Sequence, residues 1–344
     1  MIRLACLQFR AQAVAALGAL AAVAVALAVT APHLGSLYDA SGIAACRAGD
    51  CASTAAAFLD KVSADQVLYF LGIGVLFVTP LVIGMFWGAP LVARELEAGT
   101  FRLAWTQGVT RTRWLAVKLA VIGLAAMLTA GLLSFMLTWW SGPIDTALAL
   151  KSGNSISFIR VGPVLFAVRG IAPVGYAGFA FALGVTAGVL IRRTVPAIAA
   201  TLAAAAAVAI AWPLWFRPHL IAPVHALVTL TPADIAAASL AAGPGGTVIV
   251  MPPASSVPLG TWLVSARTLD SAGHAFNVAT VKACQGNGQG ACSAALDRLH
   301  LRDLVSYQPA SRFWPLQWYE TVIFLALAAI LAGICLWRIR RLPS

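Results

Sequence analysis

Charge is what this sequence has least of. Asp, Glu, Lys and Arg make up 10% of its 344 residues, against about a quarter in a soluble domain. With 60% apolar residues and a mean hydropathy of +0.87, that scarcity excludes an ordinary soluble protein and points to an integral membrane chain. No Gly-rich phosphate loop ending in Lys followed by Ser or Thr occurs, so ATP is not bound here in the P-loop manner. Ionisable residues are absent from the centres of the long apolar runs, where a proton- or ion-driven carrier usually keeps them. Lys118 and Glu320 fall near the ends of such runs, where side chains are expected to snorkel. Five histidines, His33, His219, His225, His274 and His300, are widely separated and fall in loops or at their borders. With no clustered His, Asp, Glu or Ser arrangement, the expectation is no catalytic residue, no metal site and no cofactor in this chain. No internal repeat is present.

Six runs are long enough to cross about 30 Å of hydrocarbon at about 1.5 Å per residue. They lie at about 11–30, 67–90, 115–140, 171–191, 195–216 and 318–337. Only Arg192, Arg193 and Thr194 separate the fourth from the fifth, with Pro196 just inside the next run, which predicts a tight helical hairpin. If the N-terminus is cytoplasmic, the inside segments hold 12 of the 23 basic residues in roughly 45 positions, and the outside loops share the rest over roughly 165. That contrast predicts a plasma-membrane protein with both termini cytoplasmic. The net charge of +11 is then accounted for by topology and anionic lipid headgroups, with no nucleic acid as partner. A cleaved signal peptide ending near Ala26-Leu27-Ala28 is the alternative for the first run. Its apolar stretch of about 19 residues exceeds the usual 7 to 15 of a signal core.

The cysteines agree with this topology. Cys46 and Cys51 lie in the first outside segment, Cys284 and Cys292 in the last, and each pair can close a small disulfide loop in an oxidising compartment. Metal ligation by Cys46 and Cys51 is the weaker reading, since no His or further Cys is close in sequence. Cys6 and Cys335 fall on the cytoplasmic side without a mate. The fold expected is an all-α polytopic membrane protein of six transmembrane helices. A small mixed α/β extracytoplasmic domain at 217–317 sits between helices 5 and 6. The membrane domain is then 1–216, and 318–344 is the sixth helix with a basic tail. Within 217–317, Thr247–Met251, Trp262–Leu269 and Ala275–Val281 read as strands and Ser293–Val305 as helical. Phe313, Trp314, Trp318 and Tyr319 read as an interfacial aromatic anchor. Residues 31–66 are expected to form a large first outside loop.

The polar segment 91–113 stands apart. Leu91, Val92 and Leu96, then Phe101, Ala104 and Trp105, recur at helical spacing, which leaves Arg94, Glu95, Glu97 and Arg102 facing outward. Gly99 allows a sharp change of direction, and the hydroxyls of Thr100 and Thr110 can cap the turns that follow them. These residues alone leave a solvated loop and a docking surface both open. Gly84 and Gly88, and Gly184 and Gly188, form small-xxx-small faces, suited to packing within one subunit or to a dimer contact.

Arg94-Glu95-Leu96-Glu97-Ala98-Gly99-Thr100, followed by Leu103, Thr110-Arg111 and Trp114 entering a helix with Lys118, resembles the first cytoplasmic loop of ABC-2 type transporter permeases. Six spans with cytoplasmic ends and a large loop before the sixth match that architecture over nearly the whole chain. The stretches 169–176 and 307–315, with 19 arginines against four lysines, are similar to permeases from high-GC actinobacteria. The resemblance implies that Arg94, Glu95, Glu97, Gly99, Thr100 and Arg102 belong to a coupling helix contacting a separate ABC ATPase subunit, which carries the Mg-ATP. It also implies an exporter built from two permeases, as a homodimer or a pair, embedded in membrane lipid. A hydrophobic or amphipathic cargo follows from the apolar spans. The alternative is a transmission or sensor protein whose outer domain binds a partner and moves no cargo.

Overall fold

The computed structural model describes residues 2–46, 51–99, 110–152, 159–232, 235, 239–242, 248–251, 258, 260–284 and 289–341. Helices come first: α1 Ile2–Ser41, α2 Cys51–Lys61, α3 Ser63–Val82, α4 Ala89–Glu97, α5 Arg111–Ser152, α6 Pro163–Val168, α7 Ala172–Ile191, α8 Thr194–Ala211 and α9 Arg217–Leu220. Strands β1 Val224–Thr229, β2 Ser239–Ala242, β3 Val248–Met251 and β4 Trp262–Leu269 follow. The chain ends with α10 Gln289–Asp297, β5 Arg302–Gln308 and α11 Phe313–Arg340.

Among the described residues, six helical stretches are long and apolar enough to cross a membrane: Phe9–Ser41, Ser63–Glu97, Thr112–Leu150, Ala172–Ile191, Thr194–Leu220 and Ala310–Arg340. Two of them change pitch at proline. Pro80 lies in the last turn of α3 and is followed by a wide π-type turn at Ile83–Gly88; Pro213 sits in another at Trp212–Phe216. A ring nitrogen cannot donate to the helix ladder, and a widened turn absorbs the lost bond without ending the helix. Arg192, in the left-handed region at φ 59°, makes the sharp turn between α7 and α8.

Two runs are longer than composition suggested. Residues 31–66 are not a large open loop: α1 continues to Ser41, and the Cys46–Cys51 disulfide leads into α2. Likewise α5 does not stop near residue 140 but runs through Pro143 to Ser152. The extensions form a helical crown, with Leu34, Phe58, Leu59, Tyr69, Ile144 and Ala147 buried together. Packing against one another supplies the apolar surface that these short polar-flanked helices lack alone.

Between the fifth and sixth spans lies an antiparallel sheet of order β1-β5-β4, with β2 and β3 forming a separate pair. β3 and β4 fall where alternation placed strands. Ala275–Val281 is not a strand; after one bridge at Ala275 it turns into a 3-10 turn at Val278–Thr280. Asn277 explains this, since its side chain accepts from the Ala279 amide and bends the backbone. The helical reading of Ser293–Val305 holds only to Asp297, because His300 at φ 46° reverses the chain into β5. The sheet is tied to the helices by Gln308, which donates to the Pro218 and Ile221 carbonyls at 3.3 and 2.6 Å, and by Arg312, which donates to the Ala222 carbonyl at 2.6 Å.

Candidate functional site

The polar segment after the second span begins as α4. Pro90 in its first turn suits helix initiation, and Gly99 at φ 70° ends it in a conformation that L side chains rarely adopt. Val92 and Ala93 are fully buried against the fourth and fifth spans. Thr100, Phe101, Arg102, Ala104 and Trp105 lie outside the described residues. Arg94 and Glu97 are exposed, whereas Glu95 is half-buried; both carboxylates are nevertheless engaged by other parts of the chain.

Glu95 accepts from the Lys118 ammonium at 2.5 Å, and Lys118 also sits 4.5 Å from the Trp114 ring centroid. Lys118 therefore does not snorkel; with its side chain 4% exposed it is held within the protein. Glu97 Oε2 accepts from the Thr194 amide at 2.9 Å and its hydroxyl at 2.8 Å, capping α8 from outside that helix. A carboxylate there meets the unsatisfied amides and the positive end of the helix dipole. α4 is thus fastened to the third span through Glu95 and to the fifth through Glu97. At the start of α5, Thr110 accepts from the Arg113 amide at 3.4 Å, a long contact.

Glycine sets the distance between the second and fourth spans. A Cβ on Gly88 would stand 2.5 Å from the Phe181 carbonyl oxygen, and one on Gly188 would stand 2.5 Å from that of Ala89. Gly84 and Gly184 meet across the same seam. The four glycines are therefore brought together inside one chain, where backbones touch directly.

At the opposite end of the bundle the structure contains what composition did not anticipate. Asp145, on the extension of α5, accepts from the Tyr69 hydroxyl at 2.7 Å and from Arg169 Nε at 3.2 Å. Glu320, fully buried on α11, takes two bonds of 2.9 Å from Arg217 and one from the Tyr176 hydroxyl. The expectation that the spans hold no ionisable residue in their interior, and that Glu320 snorkels, is corrected by these pairs. Each is an Arg, a carboxylate and a Tyr that neutralise and saturate one another, which is how charge survives burial. The two clusters flank α6. Arg217 also donates to the Pro163 carbonyl at 3.0 Å, while Gln317 accepts from the Ile171 and Ala172 amides and donates to the Phe166 and Arg169 carbonyls. The available signal in the sequence was Glu320 itself, a carboxylate near the start of the last apolar run.

Both cysteine pairs are joined: Cys46 to Cys51 and Cys284 to Cys292. Cys335 is free, buried, and 3.2 Å from the Thr186 hydroxyl. Of the aromatic belt, Trp314, Trp318 and Tyr319 are exposed, but Phe313 is buried against Phe166. Among the described residues no group of three or more His, Cys, Asp or Glu is placed to hold a metal ion.

A family model described as ABC-2 membrane transporter related matches residues 17–217, more than half of the chain. The chain belongs to this family. It is a multi-pass membrane protein and a transporter permease, a class of membrane subunit without catalysis of its own that generally works with a separate ATPase. The match begins inside the first span, takes in α4 and ends at Arg217 in the last turns of the fifth, so the sheet and the sixth span of this ABC-2 permease lie beyond it. No curated protein and no solved structure gives a match.

Proposed function

We propose that this chain is the membrane subunit of an ATP-driven ABC-2 exporter that moves a hydrophobic or amphipathic compound, with Mg-ATP hydrolysed in a separate ATPase docked on residues 94–102. The observation that carries the reading is the fastening of α4. An element with Arg94 and Ala98 exposed at its end, and with Glu95–Lys118 and Glu97–Thr194 linking it to two spans, transmits a push from outside the bundle to the third and fifth helices. The glycine seam passes the same displacement to the fourth. Such a push shifts the equilibrium only if the ATPase binds α4 differently in two states. Two permease copies, as a homodimer or a pair, complete the assembly.

In this reading the α4 end and both termini are cytoplasmic, by the density of basic residues. The disulfides and the sheet then face an oxidising exterior. The test is isolation from native membranes in mild detergent, followed by an assay for a co-purifying P-loop ATPase at a fixed ratio. An intact permease that carries no ATPase through several detergents rejects the reading. The alternative, a transmission or sensor protein that moves no cargo, is favoured by one observation: Gln308 and Arg312 fasten the sheet to the chain leaving the fifth span. Photo-crosslinking of a transported compound between the helices would rule that alternative out.

A further inference from the structure

A polar pocket and an apolar groove meet beside α1. The pocket, about 250 Å³, is lined by Gln12, Arg94, Glu95 and Lys118 among apolar neighbours. The groove, about 1100 Å³, runs between α1 and α3, at the upper end of the sizes that hold small molecules. Gln12 and Trp87 line both, so the two spaces share a rim. Small residues make the room: Ala15, Ala16 and Ala19 on α1 face Phe70, Val78 and Phe86 of the second span across the gap. Gly74 lines it too, and a Cβ there would meet nothing within 4 Å.

The polar end is cationic. Among the described lining residues, Arg94 and Lys118 bring two positive charges and Glu95 one carboxylate. An ammonium has three N–H donors, and among the described residues Lys118 gives one of them to Glu95. Its side chain, 4% exposed, lines the pocket. Gln12 adds an amide at the rim.

We propose that this pocket and groove form a binding site for an anionic phospholipid, its phosphate at Arg94 and Lys118 and its acyl chains along α1 and α3. The lipid enters sideways from the bilayer leaflet on the α4 side. Charge selects the headgroup, because a zwitterionic lipid offers the same phosphate with its own cation attached. The groove accepts the chains without regard to the headgroup. The site depends on the fold of the single chain and not on transport or on an ATPase.

The test is lipid retention by the purified protein, measured by native mass spectrometry after titration with phosphatidylglycerol or with phosphatidylcholine of identical chains. The wild type is expected to hold phosphatidylglycerol at least about five-fold more tightly. Arg94→Gln is expected to lower phosphatidylglycerol binding by about five-fold and leave phosphatidylcholine unchanged. Gly74→Phe and Ala19→Phe, which fill the groove from open or exposed positions, are expected to weaken both lipids together. Equal binding of the two lipids by wild type overturns the proposal. So does binding indifferent to both the charge and the groove substitutions, which is the behaviour of an unspecific lipid annulus. Groove substitutions that change the oligomeric state while lipid binding stays constant assign the groove to a second copy of the chain and overturn it as well.

Discussion

Replacing Glu320 with alanine strands a guanidinium inside the bundle. Arg217 is 1% exposed, and two of its four bonds, each 2.9 Å, go to this carboxylate. The others go to neutral oxygens, the Pro163 carbonyl at 3.0 Å and the Tyr176 hydroxyl at 3.1 Å. Breaking a buried pair by removing one partner costs about 3–5 kcal/mol, because the remaining charge is uncompensated. Removing both charges is a different perturbation. Arg217→Met with Glu320→Leu loses the Coulomb attraction and both desolvation penalties together, an exchange that ranges from neutral to about 4 kcal/mol stabilising. Against that gain, the Pro163 carbonyl and Tyr176 hydroxyl each lose a donor or acceptor, at about 1–3 kcal/mol apiece. At the middle of both ranges the double variant lies about 2 kcal/mol below wild type, well short of the sum of two single variants that each fall at least about 3 kcal/mol below it. The assay is an SDS-induced unfolding titration of the protein in mixed micelles, followed by far-UV circular dichroism. Single substitutions whose effects simply add, or a Glu320→Ala cost under about 1 kcal/mol, would refute the view that this pair is a desolvated clamp between the fifth and sixth spans.

Three further outcomes follow from the same physics. Asp303, in the centre of the sheet opposite Thr268, has its carboxyl pushed up to about 6 by burial. The folded pKa is above the unfolded one, so stability is greatest below about 4 and falls as pH rises through about 6; Asp303→Asn should flatten that slope in a urea titration series. Removing the Cys284–Cys292 or Cys46–Cys51 bridge, which closes loops of 8 and 5 residues, should cost about 2 kcal/mol each by loop entropy. Thiol labelling from outside intact cells should reach these four cysteines only after reduction, and labelling without reductant would contradict the oxidised exterior assignment. Gly88→Ala drives a methyl into the Phe181 carbonyl at 2.5 Å, so the second and fourth spans must separate at about 1–3 kcal/mol. An unchanged unfolding midpoint would show that the seam is loose.

The six spans were legible because about 20 consecutive apolar residues have one physical reading. Gly99 and the Arg192 turn were legible for a related reason, since a charged or small residue between apolar runs marks where the chain must change direction. The crown was not. Ser141-Gly142-Pro143 and Asp145 look like the end of a helix, and only Arg169 and Tyr69, both distant in sequence, make a carboxylate tolerable there. Lys118 misled in the same way, because a lysine near a helix end snorkels unless a partner such as Glu95 is within reach, and that partner is 23 residues away. The acidic residues of α4 were picked out by their position, but their local partners Lys118 and Thr194 depend on how three helices pack. In the sheet, β1 and β5 escaped notice because half of each faces a neighbour that sequence does not reveal. β4 did not escape, since Trp262–Leu269 is bounded by turn residues and rich in strand formers.

The central claim is that α4 receives a nucleotide-driven partner. It is tested most directly by placing a cysteine at the exposed Ala98 and cross-linking in native membranes with and without a non-hydrolysable ATP analogue. The account predicts an adduct with a P-loop ATPase whose yield changes when nucleotide is bound. A correctly inserted Ala98→Cys protein that forms no ATPase adduct in either condition would contradict it.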